Sequence, residues 1–310
     1  PVESQRFIDS RVAYRNKNAG KDPSELLKRG KSLIEAKARL CGRGFKDPDA
    51  WKLRKDSPTA GRLALMILLQ IATSNDWEII GADARSAFMQ GGKDTGREGQ
   101  RLYMRPPRNG KLPDVMAGQL ILILGAVYGL VNSPRLWWRV IAGWLINADG
   151  WVMHSMNPAL LMKYENTILI GIIILHVDDV IGTACRRNVF DAMLAHFEWG
   201  SQNWNQIDYC GKQLHKGNGF CRVTQPVFRG AIEICKLPRG RRDEQKELLT
   251  KSEISDHKSN IGTLTWVGSN SDPTISATTS LVQGPELTVE MFIKASSLLK
   301  EVKDDADDGI

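Results

Sequence analysis

Asp178 and Asp179 stand side by side between two apolar runs, Ile168-Leu-Ile-Gly-Ile-Ile-Ile-Leu175-His176-Val177 before them and Val180-Ile181 after them. An ionised carboxylate taken out of water without a partner is strongly disfavoured, and two adjacent ones also repel each other. A divalent cation answers both problems. An apolar strand, two aspartates at a tight turn and a second apolar strand therefore predict a β-hairpin that presents a metal. Holding two Mg2+ ions there needs a third carboxylate. Asp83 is the best candidate, because it ends the stretch Trp77-Glu-Ile-Ile-Gly-Ala82, which reads as a buried strand. Mg2+ takes few protein carboxylates and completes its shell with water and substrate phosphates. Two such ions about 4 Å apart activate an attacking hydroxyl and stabilise a leaving oxygen. The expected chemistry is nucleotidyl transfer, driven by positioning and charge neutralisation.

The elements that must position these residues follow from periodicity. Lys37-Ala-Arg39-Leu-Cys-Gly-Arg43-Gly-Phe45 alternates like a strand with cations on one side. Ser57-Pro58-Thr59 reads as a helix start, and Leu65, Leu68, Leu69 and Ala72 recur at helical spacing up to Ser74. After Asp83 the chain turns away at Ser86 to Gln90, and Gly91-Gly92 closes the segment. Short strands are expected at 102–104 and 120–124. Ser133-Pro134-Arg135 opens a helix that carries Trp137, Trp138 and Trp144, read as core residues. Residues 160–164 and 168–175 pair around Glu165-Asn166, and 188–199 reads as an amphipathic helix. Short strands follow over 201–235, and a helix over 286–303. Hairpins mixed with crossovers place the chain in the α+β class.

Length and composition bound the reading. The chain has 310 residues, a soft prior for about two domains. Its 42% hydrophobic content supports a real core and excludes a disordered chain. The formal net charge of +7 favours an anionic partner, most often nucleic acid. Five cysteines (Cys41, Cys185, Cys210, Cys221, Cys235) form no C-x-x-C pair and read as reduced structural thiols. Pro1-Val-Glu-Ser is not a signal peptide, and the longest apolar run is too short to span a bilayer. A soluble intracellular protein is expected, as a piece of something longer.

In this setting the chain resembles the reverse transcriptase of copia-type LTR retrotransposons. The matching stretches are KARLCGRGF (37–45), DSPTAGRLALMILLQIA (56–72), ADARSAFMQG (82–91), RLYMRPP (101–107), VYGLVNSPRLWW (127–138), LHVDDVIG (175–182) and YCGKQL (209–214). IGTLTWVGSNSDPTISATTSLV (261–282) resembles the segment that leads on to RNase H. Each block alone is weak, but all of them in the family's order are highly specific.

The resemblance implies a right-hand polymerase with fingers, palm and a small thumb. Residues 1–30 would be an N-terminal polar segment, 31–230 the fingers and palm, and 231–310 a thumb or connection segment. It implies an RNA-directed DNA polymerase in which Asp83, Asp178 and Asp179 hold two Mg2+ ions, with Mn2+ as the alternative metal. Phe88 matches the aromatic gate that excludes a ribose 2′-OH, and Lys37 and Arg39 match the cations that hold the triphosphate. Gly129, Asn132, Ser133 and Pro134 match the block under the nascent base pair, and Tyr209 to Leu214, with Gly211, the primer grip. Implied partners are an RNA or DNA template with its primer, dNTPs and the rest of a Gag-Pol polyprotein, with no membrane. Copying is expected in cytoplasmic virus-like particles, with the product bound for the nucleus. Two departures stand out: His176 replaces the family's usual Tyr, and Asn132 replaces its usual Gln.

Other readings fit the same residues taken singly. Asp178-Asp179 fits an ordinary hairpin turn, Asp83 a helix cap, Phe88 a core aromatic, and Lys37 and Arg39 a solvated strand face. Asn132 and Ser133 fit a helix cap ahead of Pro134. The basic stretch 236–246 fits a surface loop as well as a nucleic-acid contact. Asp304, Asp305, Asp307 and Asp308 fit a solvated acidic tail better than a metal site. The rivals to an active polymerase are a decayed or domesticated copy that only grips nucleic acid, and an inactive subunit that stiffens a partner.

Overall fold

The computed structural model describes residues 6–19, 23–28, 30, 32–93, 97, 100–108, 112, 115, 118–305 and 309. Pro1 to Ser4 and the acidic-tail residues Asp307 and Asp308 lie outside the described residues. The architecture mixes helices and sheets, as the α+β expectation requires. Its centre is a six-stranded antiparallel sheet in the order β11-β4-β10-β9-β8-β7. These strands are β4 (Glu78–Ala84), β7 (Val152–His154), β8 (Asn157–Glu165), β9 (Ile168–His176), β10 (Asp179–Ala184) and β11 (Trp199–Trp204).

The long apolar run of β9 follows from burial on both faces of this sheet. Alternate residues of a strand point to opposite sides. Ile80, Leu161, Ile173, Leu175 and Val180 face one core, built with Trp137, Ile141 and Leu145 of α3 (Ser133–Ala148) and Met193 of α4 (Asp191–His196). Ile79, Leu160, Ile172, Ile174 and Ile181 face the other, built with Leu65, Leu68 and Leu69 of α2 (Arg62–Ser74). Ile207, Leu214 and Val223 close that second core. They come from the meander β12 (Gln206–Tyr209), β13 (Lys212–Gly217) and β14 (Phe220–Thr224).

Ahead of the central sheet, β2 (Ser10–Asn16) pairs with β3 (Ala36–Gly42) in a two-stranded ribbon. A small sheet joins β1 (Phe7–Ile8), β5 (Leu102–Met104) and β6 (Ile121–Ile123). The C-terminal part is helical: α5 (Pro226–Gly230), α6 (Lys251–Asn270), α7 (Ser276–Leu281) and α8 (Val289–Asp304). It has its own apolar cluster, Ile232, Leu264, Val267, Ile275, Val282, Ala295, Leu299 and Val302. Thr250 and Glu253 form a reciprocal capping box at the start of α6, which satisfies two backbone N–H groups that the helix leaves open.

Several local expectations are corrected. The helix expected from Ser57-Pro58-Thr59 begins only at Arg62, with Gly61 as an extended N-cap. The helix expected over 188–199 is a short 3-10 turn and then α4, because Trp199 already belongs to β11 and is held by pairing with β4. The hairpin between β8 and β9 turns at Asn166-Thr167, both at positive φ, rather than at Glu165-Asn166. Helix α6 was not anticipated, since its stripe is broken by polar residues. Of the cysteines, none is paired, and Cys185 and Cys210 are exposed rather than structural.

Candidate active site

The hairpin between β9 and β10 is tighter than the sequence implied. His176 pairs with Asp179, so Val177 and Asp178 alone form the two-residue loop, and Asp179 already begins β10. A two-residue loop requires positive φ at its first position or at both. Val177 supplies it at φ 58°, in the left-handed region that a β-branched residue avoids. Such strain persists only where the surroundings hold it in place. Here the Trp137 indole N–H donates to the Val177 carbonyl at 2.7 Å, and the Ala84 N–H donates to the Asp178 carbonyl at 2.9 Å. Trp137 is 0% exposed. It is core, as expected, and it also pins the turn.

Strand register brings the third carboxylate to the pair, with Asp83 on β4 directly opposite Asp179 on β10. On the other side of Asp83 lies β11, whose register slips between Trp199 and Ser201. The residue in that irregularity is Gly200, where a Cβ would come within 2.9 Å of Asp83 Oδ2. Glycine therefore leaves the carboxylate its room.

Burial and crowding raise these acids. Asp179 is pushed up to about 6 by burial first, then by Asp178 and Asp83. Asp83 is raised by burial and by Asp178, and Lys37 and Arg39 oppose the rise. Those two cations come from β3 and face the carboxylates across a cleft of about 1110 Å3. Its walls include Lys37, Arg39, Asp83, Arg85, Tyr128 and Asp178. Among the described residues no group of three His, Cys, Asp or Glu side chains stands ready to enclose a metal ion. The arrangement is instead an open set of carboxylates at one end of a cation-walled cleft. That donor set suits a hard cation whose remaining ligands are water and phosphate oxygens.

The other expected residues fall in four places. Phe88 packs against the core behind the cleft wall, with its ring centroid 5.2 Å from that of Tyr128. Gly129 has φ 87° and packs against β3: a Cβ there would lie 2.1 Å from the Gly42 carbonyl oxygen. Asn132 is 3% exposed and borders a separate hollow with Arg54, Arg135 and Arg139, not the cleft. It is the N-cap of α3 without a side-chain cap bond, while Ser133 Oγ bonds both N–H and C=O of Val127. The Pro134 carbonyl accepts from Ser57 Oγ at 3.2 Å.

Tyr209 and Gly211 bracket the hairpin between β12 and β13. Cys210 and Gly211, at φ 47° and 76°, form its two-residue turn. Burial first, then Cys210 and Asp179, raise the Tyr209 hydroxyl, so this hairpin lies within electrostatic reach of the carboxylates. The His176 ring meets Tyr209 edge-on at 5.8 Å, and its buried Nδ1 has no hydrogen-bond partner among the described residues. Gly200 and Tyr128 escaped the sequence reading. Tyr128 lies inside a matching block and so left a signal, whereas Gly200 left none.

Carboxylates opposed by cations across a cleft at an antiparallel sheet offer oxygens to a hard divalent cation and positive charge to phosphate groups. The chain belongs to the reverse transcriptase (RNA-dependent DNA polymerase) family, whose model matches residues 22–232. The Transposon Ty1-BL Gag-Pol polyprotein of Saccharomyces cerevisiae is 33% identical over 150 residues, which is 48% of this chain and 7% of the relative. The Truncated transposon Ty1-A Gag-Pol polyprotein of the same yeast is also 33% identical over 150 residues, covering 48% of this chain and 11% of the relative. These relatives bear out the copia-type resemblance. The chain matches only about a tenth or less of their length. Among solved structures, a foamy viral protease-reverse transcriptase in complex with double-stranded DNA aligns over 93% of this chain and 49% of its own. Its sequence identity is 13% and the TM-score 0.45. A telomerase from Candida albicans aligns over 97% of this chain and 60% of its own, at 7% identity and a TM-score of 0.37. No helix among the described residues is long and apolar enough to cross a membrane.

Proposed function

We propose that this chain is the polymerase part of a copia-type Gag-Pol polyprotein and extends a primer with dNTPs on an RNA or DNA template. The observation that carries this reading is the register of Asp83 against Asp179, with Asp178 beside them, across a cleft from Lys37 and Arg39. On this reading the six-stranded sheet is the palm, the N-terminal ribbon and small sheet are the fingers, and the C-terminal helices are the thumb or connection. The matching division is 31–230 and 231–310, with β1 and β2 of the preceding 1–30 segment joined to the fingers by pairing with β5 and β3.

Asp83, Asp178 and Asp179 would hold the two Mg2+ ions. When bound, these ions supply charge neutralisation at the attacking and leaving oxygens. Lys37 and Arg39 grip the triphosphate, since guanidinium and ammonium groups form strong charge-assisted bonds to phosphate. Phe88, which stands against Tyr128 and does not itself line the cleft, would limit room at the sugar only by way of that ring. Gly129 and Pro134 would support the nascent pair, with Asn132 acting only from outside the cleft at the start of α3, and Tyr209 and Gly211 the primer end, which then meets the α-phosphate in line.

The test is Mg2+-dependent extension of a DNA primer on poly(rA) with dTTP, beside Asp178→Asn and Asp179→Asn. Extension is expected from the wild type, with a loss of at least about 100-fold in each variant. A second reading, a nucleic-acid-binding module without catalysis, draws on the unpartnered His176 Nδ1 and on Asn132 facing away from the cleft. Tight, salt-sensitive template–primer binding without extension would select it.

A further inference from the structure

A second cleft, of about 470 Å3, opens in the C-terminal helical part and shares no lining residue with the carboxylate cleft. One wall is a face of α8. The other is the irregular segment from Ile234 to Leu237, followed by the 3-10 turn Gly240–Asp243. Lys236, Arg242, Lys300 and Lys303 stand at it, against one carboxylate, Asp304. Lys303 donates to the Ile232 carbonyl at 2.8 Å. The side chains of Lys236, Arg242 and Lys300 belong to exposed residues and have no ion-pair partner among the described residues.

The floor between these cations is apolar. Leu237 and Phe292 belong to a buried cluster with Leu249 and Val289, and Ile293 packs against it. The main chain adds a third feature. The Asn260 side-chain amide of α6 bonds both the N–H and the C=O of Cys235, each at 3.1 Å, as a neighbouring strand would. The N–H and C=O groups of Ile234 and Lys236, on either side, bond to nothing among the described residues. Open backbone donors and acceptors beside a groove are what an extended peptide uses when it binds by strand addition. A phosphodiester backbone uses the cations but offers nothing that donates to those carbonyls. The residues after α8 are led elsewhere. Arg229 Nη1 donates to the Asp305 carbonyl at 2.9 Å, and Gly309 bridges to Thr224. Neither Arg229 nor Thr224 lines this cleft.

We propose that this cleft is a docking site for an extended acidic segment of a partner protein, one that alternates carboxylate and apolar side chains. Its main chain pairs with Ile234 and Lys236. Its carboxylates meet Lys236, Arg242 and Lys300, and its apolar side chains cover Leu237 and Ile293. Docking there needs no catalysis at the aspartates, so a failed polymerase assay leaves it standing.

The experiment is fluorescence anisotropy on the full chain with a fluorescein-labelled peptide of alternating aspartate and leucine, about eight residues long. Binding at about 1–50 μM is expected. Lys236→Gln with Lys300→Gln should weaken it about 10-fold. Replacing the peptide's leucines by serine, or N-methylating its alternate amides, should each weaken binding at least about 5-fold. These two controls alter the probe alone, so they decide the matter even if the double variant fails to fold. A labelled oligothymidylate is titrated in parallel. If it loses as much affinity in the double variant as the peptide does, the cleft belongs to nucleic acid and the proposal falls. Equal affinity for the serine or the N-methylated peptide, indifference to the double variant, or no peptide binding at all overturns it as well.

Discussion

At Asp179, burial and the neighbouring Asp178 and Asp83 push the carboxyl up to about 6, against 3.8 for a free side chain. Between those values the folded chain keeps a proton that the unfolded chain releases. The contribution to stability is therefore present below about 3.8 and is lost as pH rises through about 6. In EDTA at pH 8, Asp179→Asn should raise thermal stability by on the order of 1 kcal/mol, discounted because the group is only half-buried. The gain should vanish near pH 4 and shrink with saturating Mg2+. Coincident melting curves of variant and wild type at pH 8 would remove the repulsion argument. The adjacency of Asp178 and Asp179 was legible in the residues. Asp83 was legible as the third carboxylate, but its place directly opposite Asp179 was not, because cross-strand register between distant segments has no local signature.

On the scale of elements, the slip in β11 matters because it sets Gly200 against Asp83. A Cβ at Gly200 would press on the end of a movable side chain at 2.9 Å and meet a backbone atom, the Asp83 carbonyl oxygen, only at an ordinary 3.5 Å, so the fold can yield cheaply while the carboxylate cannot keep its place. Gly200→Ala should shift the melting temperature little and lower kcat roughly 10-fold or more, with template–primer affinity retained. Equal kcat in the two proteins would show that Asp83 tolerates the displacement. The region also shows why periodicity misread residues 188–199. An amphipathic stripe fits a helix, but Trp199 gains more from edge pairing with β4 than from one more helical turn. Local propensity yields there to tertiary pairing.

For the molecule as a whole, the +7 charge is unevenly committed. In the basic stretch 236–246, Arg241 is spent on Glu253 and Glu244. Lys236 and Arg242 instead share a second cleft with Lys300 and Lys303 of α8. If a nucleic-acid backbone runs along that cleft, Lys236→Gln with Lys300→Gln should weaken template–primer binding uniformly across sequences. The slope of log K against log salt should fall by about 0.9 for each phosphate that is no longer neutralised. An unchanged slope, measured by fluorescence anisotropy between about 50 and 200 mM salt, would leave this cleft outside the nucleic-acid path.

The order of blocks, the carboxylates held between apolar runs and the apolar run of β9 were all determined by the sequence itself. Charge burial and strand periodicity are local constraints, and they leave local marks. Tertiary structure alone decided that β9 is buried on both faces, that Trp137 pins the strained Val177, that Gly200 makes room for Asp83, and that Tyr128 meets both Arg39 and Phe88. Those contacts join segments far apart in the chain. They are selected when both faces of the sheet are buried at once and the register that achieves this is chosen, and no window of neighbouring residues carries that choice.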